Sequence, residues 1–549
     1  MDYSQRIQVI KNRTVSEFDR TNQRTIHMPS DSSLFIQQMT GRMPIIVHKT
    51  VSFPFIPLTD TVSVVTTPNP CITTVAQVFT ALESLMVYNA SISLPPTKSA
   101  RNAYMWFFTV ASAYSWVTAT ASVSGTKDAW NWDTKYVIDS NDVFIWMTHI
   151  LVGIMSNFVP SYDAATLLHN ERMNYGWTDA EQASEWSRVS TSGNYAAWLS
   201  AWNTWYTSRV NDGSVAAAVA PSDSVLPNGS TRLNVSVSQN ISAYANPRQW
   251  TPLVINGVVK NFLTYGWGDV RSTCLTASDE TSIKSASSAF FLGSSPARDT
   301  EIDNLVSLTS ALTDLQKMTA EFWAGGPLTV SPPCMMIWFW KKYIEATGQN
   351  MNTMIYSGLE LSINIFESSR LTWALKRLYM EDRPIQEIRR RYATQNLTKY
   401  DGTSISGSVW VPYQESTFVT PPFADFPSGH STFSQSFAKV MSAWFGSTIP
   451  TMDITMTDLN LLSPIFSGGQ YVNKLSSIVI PAKSSTIQVG VVPSTDQTLV
   501  WATWEDIADS AGISRQYGGI HCPSAHLGGQ SVANSIFPLV TTEWSISRV

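Results

Sequence analysis

Three short segments in the last third of the chain carry side chains able to grip an oxyanion and move protons around it. The first is Lys376-Arg-Leu-Tyr-Met-Glu-Asp-Arg383-Pro384. Lys376 and Arg383 are seven residues apart, two helical turns, so both cationic heads are expected on one helix face. Pro384 should then stop or bend that helix. Such a pair suits an oxyanion; with Arg377 beside it, the segment by itself favours a solvated basic face. The second segment is Pro427-Ser428-Gly429-His430, followed by STFSQSFAKVMSAWF. Ser428 can cap the helix that follows, and Gly429 lets a backbone N–H come close to a ligand. The helix start offers free N–H groups and a positive dipole end, with His430 placed to exchange a proton. The third is Ser514-Arg515-Gln-Tyr-Gly-Gly-Ile-His521, after the predicted helix WATWEDIADSAGI. It adds a cation and a histidine. A lone histidine is usually structural; here the argument is joint, because the chain has only seven and two fall beside these other anion-binding parts.

Together these residues specify three cations, one hydroxyl, one glycine N–H and two imidazoles. That set suits a tetrahedral, highly charged oxyanion held rigidly. One imidazole is free to bond the central atom and the other to move protons. Carboxylate-rich ligation is missing from the set, which disfavours Mg²⁺ or Zn²⁺ chemistry.

The elements that must position these groups are mostly helical. Residues 1–75 are polar, β-branched and broken by prolines, and read as an extended arm with short strands. Helical patterns run from 76 to 210. Residues 212–246 lose the pattern and read as a long surface excursion. Helical periodicity returns at 300–322, 335–347, 353–380, 431–445 and 499–511, while 447–498 lean toward β-structure. Two uncharged stretches, 102–126 and 143–160, are too polar or too short for convincing membrane spans and are read as buried helices, so no membrane span is expected.

At 549 residues the chain can bury a large core without staples. Only 14% of residues are charged, against about 25% in ordinary soluble domains, and 44% are apolar, which excludes global disorder. The net charge is −5, from 36 basic and 41 acidic residues, so no basic surplus exists for a nucleic-acid backbone. Cys71, Cys274, Cys334 and Cys522 are far apart and form no CxxC pair. The first thirty residues lack the apolar run of a classical signal peptide, so a soluble protein is expected.

The motifs KxxxxxxRP, PSGH and SRxxxxxH, in this order, resemble those of vanadium-dependent haloperoxidases and type 2 phosphatidic acid phosphatases. NPRQWTPL, FLTYGWGDV, EFWAGGPLTVSPP and PPFADFPSGHSTF resemble the haloperoxidase branch, its chloroperoxidase-like members in particular. The resemblance covers roughly residues 245–535. It implies an all-α fold of two four-helix bundles, here with an extended N-terminal arm and long loops. The corresponding division is an arm at 1–75, an N-terminal bundle at 76–245 and a C-terminal bundle at 246–549 that holds the anion site.

By motif position, the resemblance implies that Lys376, Arg383 and Arg515 hold the oxygens of vanadate, for which phosphate can substitute. Ser428 and the Gly429 amide complete the shell, His521 is the ligand to the metal, and His430 is the acid–base group. Trp373 and Phe423 match positions lining a halide pocket, although ordinary core packing explains them equally well. The implied activity is oxidation of bromide or chloride by hydrogen peroxide to hypohalous acid, which then reacts with a small organic acceptor.

The sequence also departs from that pattern. Where members often have an Asp four residues after the metal-binding histidine, this chain has Ala525 followed by His526, and in place of a Trp-Ala-Asp-Gly stretch it has Trp323-Ala324-Gly325-Gly326. Asp382, Asp425 or Asp509 could compensate. Cys522 is either buried and inert or a redox liability. Two other readings stay open: an acid phosphatase in which His521 forms a phosphohistidine, and a structural component of a large assembly such as a virion. Oligomeric state, halide preference and location, extracellular or virion-associated among the options, are not fixed by sequence.

Overall fold

The computed structural model describes residues 70–119, 122–136, 138, 142–218, 248–456, 462–466 and 471–548, together with three short strands outside these ranges. Two of those strands, β1 (Thr25–His27) and β2 (Thr50–Ser52), pair antiparallel, and the third is β3 (Val235–Ser236). Of the rest of the expected arm, residues 70–75 open a helix instead, and the others, with most of the expected excursion at 212–246, lie outside the described residues.

The fold is mostly helical, with a few small sheets. The N-terminal half carries α1 (Pro70–Ser91), α2 (Pro96–Val117), α3 (Asp142–Ile154), α4 (Ala165–Tyr175), α5 (Asp179–Ser190), α6 (Gly193–Val210) and α7 (Ser214–Ala218). Next come α8 (Ala277–Ser288), α9 (Pro296–Ser310), α10 (Asp314–Phe322), α11 (Pro332–Thr347) and α12 (Met351–Tyr379). The chain closes with α13 (Pro384–Arg391), α14 (Gly429–Phe445), α15 (Trp504–Tyr517) and α16 (Pro523–Trp544). Local chemistry sets many of the starts. Thr178–Glu181, Thr313–Gln316 and Thr503–Asp506 form reciprocal capping boxes. Proline occupies the first turn of α2, α9, α11, α13 and α16, where its missing N–H costs nothing.

The central element is α12, 29 residues long and buried along almost its whole length. A helix buried on all sides needs partners all round. Here α2 covers one side, and α14 and α16 cover the other. One contiguous apolar cluster therefore runs from Phe107 and Phe108 through Trp340 and Phe366 to Phe437 and Trp504. Among the described residues no helix is long and apolar enough to cross a membrane.

Several sequence expectations need correction. The helix predicted at 300–322 is two helices, because the Thr313 capping box starts α10 afresh after Ala311 closes α9. The stretch 499–511 is the end of a strand followed by α15. The β-leaning region resolves into an antiparallel sheet of β4 (Asp453–Met456), β5 (Tyr471–Lys474), β6 (Ser477–Ile480) and β7 (Gln497–Val500), in that order. Helix α16 was not foreseen: its Gly528, Gly529 and Pro538 look like loop residues. Gly529 is needed for close approach, since a Cβ there would sit 2.5 Å from the Ser428 carbonyl oxygen.

Lys376 and Arg383 do not share one helix. Met380 takes a left-handed conformation (φ 48°) and closes α12, and Arg383 becomes the cap of α13 with Pro384 in its first turn. Their heads still converge, because both donate to carbonyls of the same segment before Ser428.

Candidate anion-binding active site

The last turns of α12 bring Trp373 and Lys376 to the segment 423–426. Lys376 Nζ donates to the carbonyls of Ala424 and Asp425 at 2.7 and 2.9 Å. From the start of α13, Arg383 Nε donates to the carbonyl of Phe423 at 2.7 Å. Its Nη1 donates to the carbonyl of Ile520 at 2.9 Å and lies 3.1 Å from His521 Nε2. Ser428 caps α14, its hydroxyl accepting the Ser431 N–H, while its own N–H donates to the Ala525 carbonyl at 2.8 Å. In the last turn of α15, Arg515 donates through Nε to Ser514 Oγ and through Nη2 to the carbonyl of Ala320. His430 Nε2 sits 2.8 Å from the Trp323 carbonyl. The structure thus gathers Lys376, Arg383, Ser428, Gly429, His430, Arg515 and His521 around one end of α12 and α14.

Trp373 and Phe423 form an aromatic wall on these cations. Their rings are 4.9 Å apart; Lys376 Nζ lies 5.1 Å and the Arg383 guanidinium 4.9 Å from the Phe423 centroid. Trp373 is fixed by its indole N–H, which donates to the Leu263 carbonyl at 3.0 Å.

The electrostatics show a site short of negative charge. Lys376 and Arg515 are buried, yet among the described residues neither has a carboxylate within ion-pair distance. Burial and then the Arg383 charge hold the Lys376 ammonium well below its ordinary range, and burial lowers Arg515. Burial also lowers Arg383, with Asp425 and Glu381 opposing, and its Nη2 is buried without a hydrogen-bond partner. Burial, reinforced by Arg515 and His521, holds His430 well below 6.5. Buried cations without counter-charge are costly unless an anion joins them. An oxyanion is the chemical answer to this donor set, and vanadate or phosphate fits it.

Of the three carboxylates that could stand in for Ala525, only Asp425 reaches His521, its Oδ1 facing Nδ1 within ion-pair distance. Asp509 pairs loosely with His526 instead, and the buried Asp382 interacts with Glu387. A guanidinium can only donate, so His521 Nε2, against Arg383, is the accepting nitrogen and Nδ1 carries the proton toward Asp425. This arrangement keeps a lone pair on Nε2. Burial pushes His521 down to about 3, against the pull of Asp425. Ala525 is buried against Ser428, and Gly325 adopts φ 54° with a Cβ position 3.0 Å from Pro332. Cys522 is fully buried, and burial pushes its thiol well above the usual range, so the redox alternative loses its support.

Two neighbours of the site escaped the sequence reading. Arg298, in α9, reaches Asp425 from behind, and Glu381 accepts the Asp425 N–H through its backbone carbonyl at 3.0 Å. Glu381 lies inside a quoted motif but drew no attention, and nothing around Arg298 in sequence distinguishes it from a surface arginine. The NPRQW segment also gains a role: Trp250 N–H donates to the Met380 carbonyl at 2.7 Å, bracing the turn between Lys376 and Arg383.

This arrangement of helices is that of a vanadium haloperoxidase-like fold. A family model described as the VCPO second helical-bundle domain matches residues 358–543. In structure, the chain is similar to a holo-type bacterial vanadium-dependent chloroperoxidase, at 16% identity and TM-score 0.56, over 83% of this chain and 94% of that one. It is similar to the apo-type bacterial enzyme at 15% identity and TM-score 0.56, over 81% and 94% of the two chains. A bacterial vanadium-dependent iodoperoxidase gives 15% identity and TM-score 0.56, over 85% and 96%. No curated protein matches the sequence.

Proposed function

We propose that this protein is a vanadate-dependent haloperoxidase, which oxidises bromide or chloride with hydrogen peroxide to hypohalous acid. The observation that carries this reading is the pair of buried cations without carboxylates, Lys376 and Arg515, beside a histidine whose Nε2 keeps its lone pair. Vanadate, when bound, supplies a Lewis acid that activates peroxide without changing its own oxidation state. Lys376, Arg383 and Arg515 would hold its oxygens, with Ser428 and the Gly429 N–H completing the shell. His521 would hold the metal through Nε2, and Asp425 orients the ring from the far side. His430 donates its Nε2–H to Trp323, which leaves Nδ1 to take up a proton. Trp373 and Phe423 keep water from one side of the cage and so strengthen the pull of its cations. A small organic acceptor would consume the hypohalous acid.

The test is reconstitution with orthovanadate, followed by bromination or chlorination of an activated dicarbonyl with peroxide. A parallel assay follows p-nitrophenyl phosphate hydrolysis without vanadate. Halogenation that requires vanadate and vanishes in His521→Ala supports the proposal. Phosphatase turnover without halogenation replaces it with the phosphohistidine reading, since the same donors suit phosphate. Neither activity, together with self-association that depends on residues 1–75, replaces it with an assembly role.

A further inference from the structure

Asp425 is the only carboxylate against His521 among the described residues, so whatever fixes Asp425 fixes the histidine. Its backbone is held twice: its N–H donates to the Glu381 carbonyl at 3.0 Å, and its carbonyl accepts from Lys376 at 2.9 Å. Besides His521, its side chain has one close partner. Arg298 Nη2 donates to Asp425 Oδ2 at 2.9 Å, and both side chains are essentially buried, at 1% and 0% exposure. Arg383 stands 3.8 Å from the other oxygen.

The same guanidinium reaches two further carboxylates. Arg298 Nε is 3.7 Å from Glu381 Oε1, and Nη1 is 3.6 Å from Glu301 Oε2. Glu301 in turn accepts the N–H and hydroxyl of Ser524 at 2.7 and 2.6 Å, which anchors the start of α16 just after His521. One guanidinium therefore hydrogen-bonds the segment before Ser428 and stands at longer ion-pair distance from the turn before Arg383 and from the carboxylate that anchors the helix start after His521. Lysine has the charge but lacks the fixed fork that bonds Asp425 while its other nitrogens face two further carboxylates.

We propose that Arg298 is a positioning residue of this site: through Asp425 it holds the His521 ring with Nδ1 protonated and Nε2 unprotonated, so that the lone pair now facing Arg383 is the one offered to the oxyanion's central atom. A second consequence concerns Arg383. Without Arg298, Arg383 is the cation left to neutralise Asp425. The guanidinium would then turn toward that carboxylate and away from the oxyanion. The inference rests on the oxyanion reading of the site, and its test must separate the two.

The experiment uses the full chain labelled with ¹⁵N-histidine, with the His521 signals assigned through His521→Gln. Arg298→Gln and Arg298→Lys are compared with the unaltered protein in two ways: the ¹⁵N shifts of His521 without any oxyanion, and the affinities for orthovanadate and inorganic phosphate by calorimetry. In Arg298→Gln, the His521 signals should move from a single Nδ1–H form to a tautomer average. Both anions should bind about 10- to 100-fold more weakly, the range seen when the partner of a ligating histidine is removed. Arg298→Lys should recover part of both. Unchanged His521 signals and affinities within about twofold in Arg298→Gln would overturn the proposal. If Arg298→Gln does not fold, Arg298→Gln/Glu381→Gln removes the guanidinium together with the Glu381 carboxyl that faces its Nε. Unaltered signals and affinities there would show that Arg298 only neutralises Glu381, and the proposal falls. If the unaltered chain binds neither anion, the functional reading fails, while the anion-free His521 signals still decide the role of Arg298.

Discussion

His521 meets Arg383 through Nε2, 3.1 Å from Nη1, at the point where the segment before α16 passes the first turn of α13. Because a guanidinium cannot accept, this contact assigns the histidine tautomer, and Asp425 on the other side completes the assignment. The ring is thus set before any anion arrives.

Asp425→Asn tests that setting directly. The amide removes the negative charge from a buried position facing three cations, Arg298, Arg383 and His521 if it becomes protonated. Vanadate affinity should fall by about 10- to 100-fold, as read by titration calorimetry.

His430→Ala should separate chemistry from binding. His430 bonds to the Trp323 carbonyl and is not needed to neutralise the oxyanion. Vanadate binding should stay near the unaltered level, while halogenation turnover falls by about 100- to 10,000-fold. Steady-state assays on the vanadate-loaded variant check this.

Lys376 should link binding to proton uptake. Burial and Arg383 depress its ammonium, and an oxyanion beside it restores the charge. At alkaline pH, where the free form has lost that proton, phosphate binding should take one up, so affinity falls as pH rises. Calorimetry in buffers of different ionisation enthalpy measures the uptake. The Lys376 component should disappear in Lys376→Arg, whose charge persists across the range.

His149 offers a stability test far from the site. It lies on the Trp186 ring, centroids 3.9 Å apart, and burial, aided by Arg188, pushes it down to about 3 from 6.5. A folded value below the unfolded one favours the neutral ring. Its contribution is therefore complete above 6.5 and is lost as pH falls toward 3. His149→Phe should flatten that acid limb by one proton, about 1.4 kcal/mol per pH unit. Thermal midpoints between pH 4 and 6, an interval of roughly two units inside that window, supply the comparison.

Gly358 tests the contact between α2 and α12. A Cβ there would fall 2.2 Å from the Phe107 ring, which Trp106 and Trp340 hold at centroid distances of 5.0 and 5.3 Å. Gly358→Ala gains about 0.5–1 kcal/mol of helix preference. Overpacking costs about 1–3 kcal/mol, so the clash should win. Denaturant unfolding should show a lower midpoint with little change in slope.

Much of the site was legible in the sequence because its parts are local devices. Ser428 reads as a helix cap from its neighbours alone, and it takes that place; Pro384, expected to stop or bend the Lys376 helix, instead stands in the first turn of the next one. Other local readings failed where packing overrode them. The small residues of α16 resemble a loop until Gly529 is seen lying against the Ser428 carbonyl. The seven-residue spacing of Lys376 and Arg383 suggested one helix face, but Met380 ends the helix between them. Their heads converge through shared carbonyl acceptors instead.

The amino-acid order alone determined which residue types could hold a tetraoxo anion and that a helix begins at Ser428, since capping preferences act over a few neighbouring residues. Only the tertiary structure decided that Asp425, rather than Asp382 or Asp509, faces His521, and that Arg298 stands behind it. A buried carboxylate takes the cation that packing delivers to within hydrogen-bond reach. That choice depends on how α9, α13 and α16 meet around the segment before Ser428, which no local spacing encodes.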